Sequence, residues 1–174
     1  MKIFIKLTDC NFFKMVNAVI LAGGRREDYS DSFFYRDYGR IIPGEEKAVM
    51  EYKGKPLVSH VINALKNSRT IDDIVVVGNK ELLERNISGV KCLEQGSSIL
   101  ENALIGYSYF NQRERILLVS CDIPEVTSGI DEFVLNSKGD LCFALTTKTS
   151  LKKYERIVHR PYFWMINKHG EREG

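Results

Sequence analysis

Apolar residues along this chain fall into two kinds of run. "NAVILA" (17–22), "DIVVVG" (73–78) and "RILLVSCD" (115–122) are apolar almost without interruption. Runs of that length predict strands covered on both faces, because a strand with one wet face would alternate. "PLVSHVINALKNS" (56–68) is of the second kind: Leu57, Val58, Val61, Ile62 and Leu65 recur at helical spacing and share one face, with Pro56 at an entry position that tolerates it. "KELLERN" (80–86) predicts a short helix and "GVKCLE" (89–94) a short strand. "SSILENALIGYSYF" (97–110) predicts a helix with Ser97 or Ser98 as N-cap and Glu101 placed for a capping box. "SGIDEFVLNS" (128–137) follows as a helix and "DLCFALTT" (140–147) as a strand.

This alternation with short connections predicts an α/β fold, a Rossmann-like three-layer α/β/α sandwich on a mostly parallel sheet, with right-handed crossovers. In such sheets ligands sit beyond the carboxyl ends of the strands, and three loops meet that condition: Gly23–Arg26, Gly78–Lys80 and Cys121–Pro124. The last stretch, "RPYFWMINKHGEREG" (160–174), predicts a strand and a turn with no closing helix. The fold is therefore expected either to finish on an edge strand or, the favoured expectation, to be C-terminally incomplete. Met15 directly precedes "VNAVILAGG", so residues 1–14 are expected to be an N-terminal extension, with Met15 as an alternative start, and 15–174 to be the domain.

Composition adds exclusions. At 174 residues, 44% hydrophobic and 28% charged, the chain suits one ordinary globular domain. Lys and Arg number 25 against 23 Asp and Glu, a net charge of +2 that gives no support for nucleic-acid binding. Cys10, Cys92, Cys121 and Cys142 show no zinc or redox spacing, which predicts a reduced, cytoplasmic setting. Lys6 and Asp9 interrupt the apolar N-terminus before signal-peptide length, and no run reaches membrane-span length, so no membrane partner is expected.

Three places carry candidate chemistry. Gly23 and Gly24, straight after a buried strand, can turn backbone amides toward an anion, and Arg25 and Arg26 can grip phosphate; the plainer reading is a tight turn followed by solvated charge. Lys47, ahead of the apolar stretch Ala48 to Met50, is by itself a solvated loop lysine. Asp122 ends the strand in "LLVSCDIP", where it either holds Mg²⁺ against phosphate oxygens or caps the next turn. His60 reads as structural, Glu45 and Glu46 as a solvated charge cluster, and Cys121 has no nearby histidine to activate it.

The order of these pieces is more specific than any one of them. "LAGG", an arginine soon after, a lysine before "GKPL", a hydrophobic helix, "VVVG" and "SCDIP" follow one another. The chain resembles the MobA-like NTP transferases of the GT-A type nucleotidyltransferase superfamily, relatives of molybdenum-cofactor guanylyltransferase and the sugar-phosphate nucleotidyltransferases, from about Val16 to Thr127. The resemblance implies a Mg²⁺-dependent transfer of NMP from an NTP to a phosphorylated or hydroxyl acceptor, with release of pyrophosphate. It implies that Leu21, Ala22, Gly23, Gly24 and Arg25 bind the nucleotide, that Arg26 grips phosphate (Arg25 being the alternative), and that Lys47 neutralises charge at the α-phosphate. Gly96, Ser97, Ser98 and Asn102 would enclose the base, and Asp122 would bind Mg²⁺. The implied partners are an NTP and a small-molecule acceptor, and a homo-oligomer is compatible with the reading.

The chain departs from the family pattern in its long insert between Gly24 and Lys47. Tyr29, Phe33, Phe34, Tyr35 and Tyr38 in that insert suit either a lid over substrate or packing on the domain. No second metal-binding aspartate is identifiable after Trp164. The alternative function is a catalytically inactive nucleotide-binding or regulatory domain of the same fold. A NAD-dependent oxidoreductase fits poorly, because a third glycine is absent and the second strand ends in Gly78-Asn79 instead of an acid.

Overall fold

The computed structural model describes residues 15–24, 46–110, 115–126, 129–144, 165–166 and 172–173. The chain forms two compact units, divided between Ser137 and Lys138.

The first unit is built on four strands. β1 (Val16–Leu21) is followed by a single 3-10 turn (Lys47–Val49), the two-residue strands β2 (Glu51–Tyr52) and β3 (Lys55–Pro56), helix α1 (Leu57–Lys66) and strand β4 (Ile71–Gly78). Helix α2 (Lys80–Asn86), strand β5 (Lys91–Glu94), helix α3 (Ile99–Tyr109), strand β6 (Ile116–Ser120) and helix α4 (Gly129–Asn136) complete it. β5, β4, β1 and β6 lie side by side in that order and all are parallel. The second unit contains the antiparallel pair β7 (Met165–Ile166) and β8 (Arg172–Glu173).

Of the uninterrupted apolar runs, those of β1 and β4 have both faces covered as expected, whereas Leu118 in β6 is 45% exposed. Ala18, Ile20, Ile74 and Val76 face Val58, Val61, Ile62 and Leu65 of α1, together with Ile130 and Val134 of α4. The alternate residues Val19, Val75 and Val77 face the opposite way, against Ile105 of α3. Helices therefore cover both faces of a parallel sheet, the α/β sandwich expected from the pattern. Gly106 lets α3 come close: a Cβ there would stand 2.2 Å from Val19 Cγ1.

The chain runs from β1 outward to β4 and β5, then returns to the other side of β1 as β6. That reversal makes the carboxyl ends of β1 and β6 a topological switch point, where open α/β sheets leave a crevice. At the opposite edge, Asp131 of α4 accepts hydrogen bonds from Thr70 Oγ1 at 2.9 Å, the Arg69 amide at 3.0 Å and the Ser68 hydroxyl. Those donors, Ser68 first, hold its carboxyl down to about 2 and fasten α4 to the start of β4.

Some local expectations needed correction. Pro56 is the N-cap of α1 with φ −54, not its first helical residue. Residues 140–144, within the expected strand "DLCFALTT", have no strand structure, and Leu141 and Phe143 are 74% and 71% exposed. β-forming side chains make no strand without a neighbour to pair with. The Gly-containing turn that "YKGKPL" (52–57) predicts is present, but the pairing of β2 with β3 around it was not anticipated; Lys53 (φ 49) and Gly54 (φ 75) turn the hairpin in the left-handed conformation that two-residue hairpin loops need.

The Gly106 contact reverses an ordinary rule. Gly→Ala inside a helix usually gains about 1 kcal/mol, but at Gly106 the new methyl must displace Val19 and is expected to cost about 1–3 kcal/mol by overpacking. Urea denaturation midpoints of Gly106→Ala and the parent protein check this; a midpoint at or above the parent's refutes it.

Candidate functional site

Two clusters assemble at the carboxyl edge of the sheet. The first forms around the glycines that follow β1. The Gly24 amide donates to Gln95 Oε1 at 3.0 Å. Gln95 directly follows β5, and its own amide is tied to Gly78 O at 2.9 Å. A Cβ on Gly23 would stand 2.5 Å from both Asn102 Nδ2 and Gln95 Oε1, so only glycine fits there without displacing them. Asn102 is buried (4% exposed) in the first turn of α3, and its Oδ1 accepts from the Gly96 amide at 2.7 Å.

Ser98 is the N-cap of α3: its hydroxyl accepts from the Glu101 amide at 3.1 Å. The return arm of the expected capping box goes elsewhere. Glu101 Oε2 accepts from the amide and hydroxyl of Ser97, at 2.7 and 2.6 Å. These donors keep the Glu101 carboxyl below its ordinary range, and both serines are fixed at the head of the helix.

The second cluster joins the 3-10 turn to the end of β6. Lys47 Nζ makes an ion pair with Asp122 Oδ2, and the Ser120 hydroxyl donates to Asp122 Oδ1. Both side chains of the pair are about a quarter exposed. Burial disfavours the Asp122 charge, but the hydrogen bonds from Lys47 and Ser120 outweigh it and hold the carboxyl below its ordinary value. A second tie runs parallel: Glu125 accepts from Lys53 Nζ at 2.8 Å and from the Tyr52 hydroxyl. The loop after β6 is thus joined to the 3-10 turn through Asp122 and to the hairpin through Glu125. His60 supports the hairpin from α1, with Nε2 2.7 Å from Tyr52 O and its ring edge-on to Tyr52.

The clusters share one edge because the strand ends are linked. Leu21 and Ser120 are register partners, Cys121 donates to Leu21 O at 3.1 Å, and Ala22 donates to Val77 O at 2.8 Å. Leu21, Ala22, Gly23, Gly24, Gly96, Ser97, Ser98, Asn102, Lys47 and Asp122 therefore all lie at the carboxyl edge of the sheet or on the elements that flank it. Arg25 and Arg26 lie outside the described residues, as do the insert aromatics. Cys121 is buried and its thiol is pushed up to about 12, chiefly by that burial, so it stays protonated and inert.

Asp122 has the donor chemistry for a magnesium site, since Mg²⁺ is usually held by one or two carboxylates plus substrate phosphates and water. Among the described residues no group of three acidic, His or Cys side chains is placed to hold a metal ion.

Three contributors were not singled out from sequence. Gln95 lies next to Gly96 in "EQGSS" and Ser120 lies within "SCDIP", so both adjoin residues that were. Glu46, taken as part of a solvated charge cluster, is instead half-buried and accepts from Asn79 Nδ2 at 3.0 Å. Nothing in the local sequence signals that partner, which lies 33 residues away.

The parallel α/β sandwich is of the GT-A type. Residues 18–149 match the MobA-like NTP transferase domain, and the chain belongs to that family. Among curated proteins it is similar to a molybdenum cofactor guanylyltransferase of Shewanella putrefaciens, 25% identical over 125 residues that make up 70% of this chain and 56% of that protein. Among solved structures, Rv0371c of Mycobacterium tuberculosis H37Rv superposes with a TM-score of 0.53 at 13% identity, covering 71% of this chain and 60% of that one. An Rv0371c homolog from Mycobacterium sp. strain JC1 gives 0.50 at 16% identity, with the same coverage. The chain thus spans less than two thirds of the length of these relatives. Among the described residues no helix is long and apolar enough to cross a membrane.

Asn102 ties the head of α3 to the Gly96 amide. Asn102→Ala is expected to leave that partly buried donor without its partner and to cost about 1 kcal/mol of stability. Chemical denaturation checks it, and a loss below about 0.5 kcal/mol, the size of an ordinary surface change, would mean that the amide is satisfied without Asn102.

Proposed function

We propose that this chain carries the NTP-binding site of a nucleotidyltransferase, in which a phosphate or hydroxyl oxygen of a small-molecule acceptor attacks the α-phosphorus of an NTP. The new bond joins acceptor oxygen to α-phosphorus, the bond from α-phosphorus to the bridging oxygen breaks, and pyrophosphate leaves. The observation that carries the reading is the meeting of Lys47 with Asp122 beside the turn that follows β1. Reactions of this kind need positioning and charge neutralisation more than covalent chemistry.

In this reading the backbone of Ala22, Gly23 and Gly24 lies along the nucleotide, Gly23 because any side chain there would strike Asn102 and Gln95. The Gly96–Asn102 segment bounds the base, with Ser97 and Ser98 presenting the head of α3. Asp122 is the residue that would hold Mg²⁺, which when bound neutralises phosphate charge. Lys47 then exchanges its carboxylate partner for the α-phosphate oxygens, and its ammonium offsets the charge that builds as the acceptor attacks. Arg26, with Arg25 as the alternative, is assigned to the remaining phosphates. The family match and the guanylyltransferase relative support GTP as the first NTP to try.

The experiment is a pyrophosphate-release assay with GTP, CTP and ATP, Mg²⁺, and phosphorylated and hydroxyl acceptors, beside nucleotide binding measured by calorimetry. Lys47→Ala is expected to cut turnover by about two orders of magnitude or more, the loss typical of removing a group that stabilises transition-state charge, with the melting temperature little changed. Unchanged turnover would remove Lys47 from the mechanism. Nucleotide binding by the parent protein with no pyrophosphate release from any NTP and acceptor would favour the binding-only regulatory domain.

A further inference from the structure

Glu46 and Lys47 are neighbours that reach to opposite sides. Glu46 is extended (φ −76, ψ 137) and Lys47 opens the 3-10 turn. The Lys47 side chain goes to Asp122 after β6, and the Glu46 side chain goes to Asn79 after β4. β1 lies between those two strands. The short segment therefore crosses the carboxyl edge of the sheet, fastened at both ends.

Asn79 serves two partners with one side chain. Its Oδ1 accepts from the Leu82 amide at 3.1 Å and caps α2, while its Nδ2 donates to Glu46 Oε1 at 3.0 Å. The cap fixes the amide plane, so the free Nδ2 has a set direction. Glu46 Oε2, by contrast, is shut off from solvent with no hydrogen-bond partner among the described residues. Burial pushes the Glu46 carboxyl up, the Asn79 bond works the other way, and the nearby Glu94 charge pushes it up again. A half-buried carboxyl with one oxygen unmatched is costly to place, and a plain turn does not need it. Its main-chain carbonyl contributes as well, accepting from the Val49 amide at 3.0 Å.

We propose that the Glu46–Asn79 hydrogen bond is a latch that positions Lys47 over the site, so that Glu46 and Asn79 are positioning residues acting through the lysine. The proposal rests on the nucleotidyl-transfer reading for its effect on rate, but not for its effect on the lysine itself. Without the latch the turn loses its hold on β4, and Lys47 loses the fixed geometry that charge neutralisation at a single phosphate requires. Misplacements of about 1 Å can cost on the order of a hundredfold in rate.

The test exchanges donor and acceptor. Asn79→Asp keeps an oxygen for the α2 cap, and aspartate is as good an N-cap as asparagine, but it sets a second carboxylate against Glu46. Glu46→Gln keeps the acceptor for Asn79 and should behave like the parent. Joining the two changes restores the bond with its direction reversed, since the new amide can donate to the new carboxylate. Lys47 is followed by its rate of acetylation with acetic anhydride, site by site by mass spectrometry, alongside turnover, nucleotide affinity and melting temperature. Asn79→Asp is expected to slow turnover about 10- to 100-fold and to speed Lys47 acetylation, at nearly unchanged affinity and melting temperature. The double variant is expected to return both rates to within about twofold of the parent. Glu46→Ala, which leaves the cap untouched, must reproduce the Asn79→Asp effects, and it decides the matter if Asn79→Asp fails to fold. An unaltered Lys47 acetylation rate in both Asn79→Asp and Glu46→Ala, or no recovery in the double variant, overturns the latch. Absence of turnover in the parent would refute the nucleotidyl-transfer reading alone, because acetylation still reports on the latch.

Discussion

Everything at the candidate site depends on how β1 is held. It pairs with β4 along one edge and β6 along the other, and both its faces are buried, Ala18 and Ile20 against α1 and Val19 against α3. A strand held on four sides can neither slip in register nor tilt without breaking several bonds at once. Its last bonded residues, Leu21 and Ala22, are tied to Cys121 and Val77 by backbone hydrogen bonds. The glycines that follow therefore emerge at one fixed place, and the end of β6 that carries Asp122 emerges beside it.

The pairing of Lys47 with Asp122 follows from that placement, and it carries a tension. Neither group is fully in water, so each loses hydration that the other replaces. An ammonium and a carboxylate so placed satisfy each other, which lets the chain hold two unlike charges at a switch point without a ligand. A polyphosphate and a divalent cation together present the same two charges in reverse, anion to lysine and cation to aspartate. Ser120, bonded to the other carboxylate oxygen, fixes the direction in which Asp122 points.

How much of this was legible depended on how local the signal was. Strands announce themselves as unbroken apolar runs, and helices by period, so β1, β4, β6, α1 and α3 could be read with ends off by a residue or two, although β6 leaves Leu118 exposed. The glycine turn, the head of α3 and Asp122 could be placed because strand ends dictate where loops fall. Gln95, Ser120 and the Glu46–Asn79 bond could not, since each depends on a side chain reaching a partner set by tertiary packing. The pairing of β2 with β3 around Lys53-Gly54 was missed because strands of two residues leave no pattern to read. Leu141 and Phe143 misled in the other direction: these β-forming side chains join no strand among the described residues.

The seat of Gly106 on Val19 reaches beyond packing. Helix α3 carries Ser98 and Asn102 at its head and Gly106 in its second half, where the sheet allows no clearance. The helix therefore works like a bolt driven home against its stop, and its head cannot shift toward the sheet. Change at the Gln95–Asn102 turn is left to side chains, while the backbone behind it stays where the glycine has parked it.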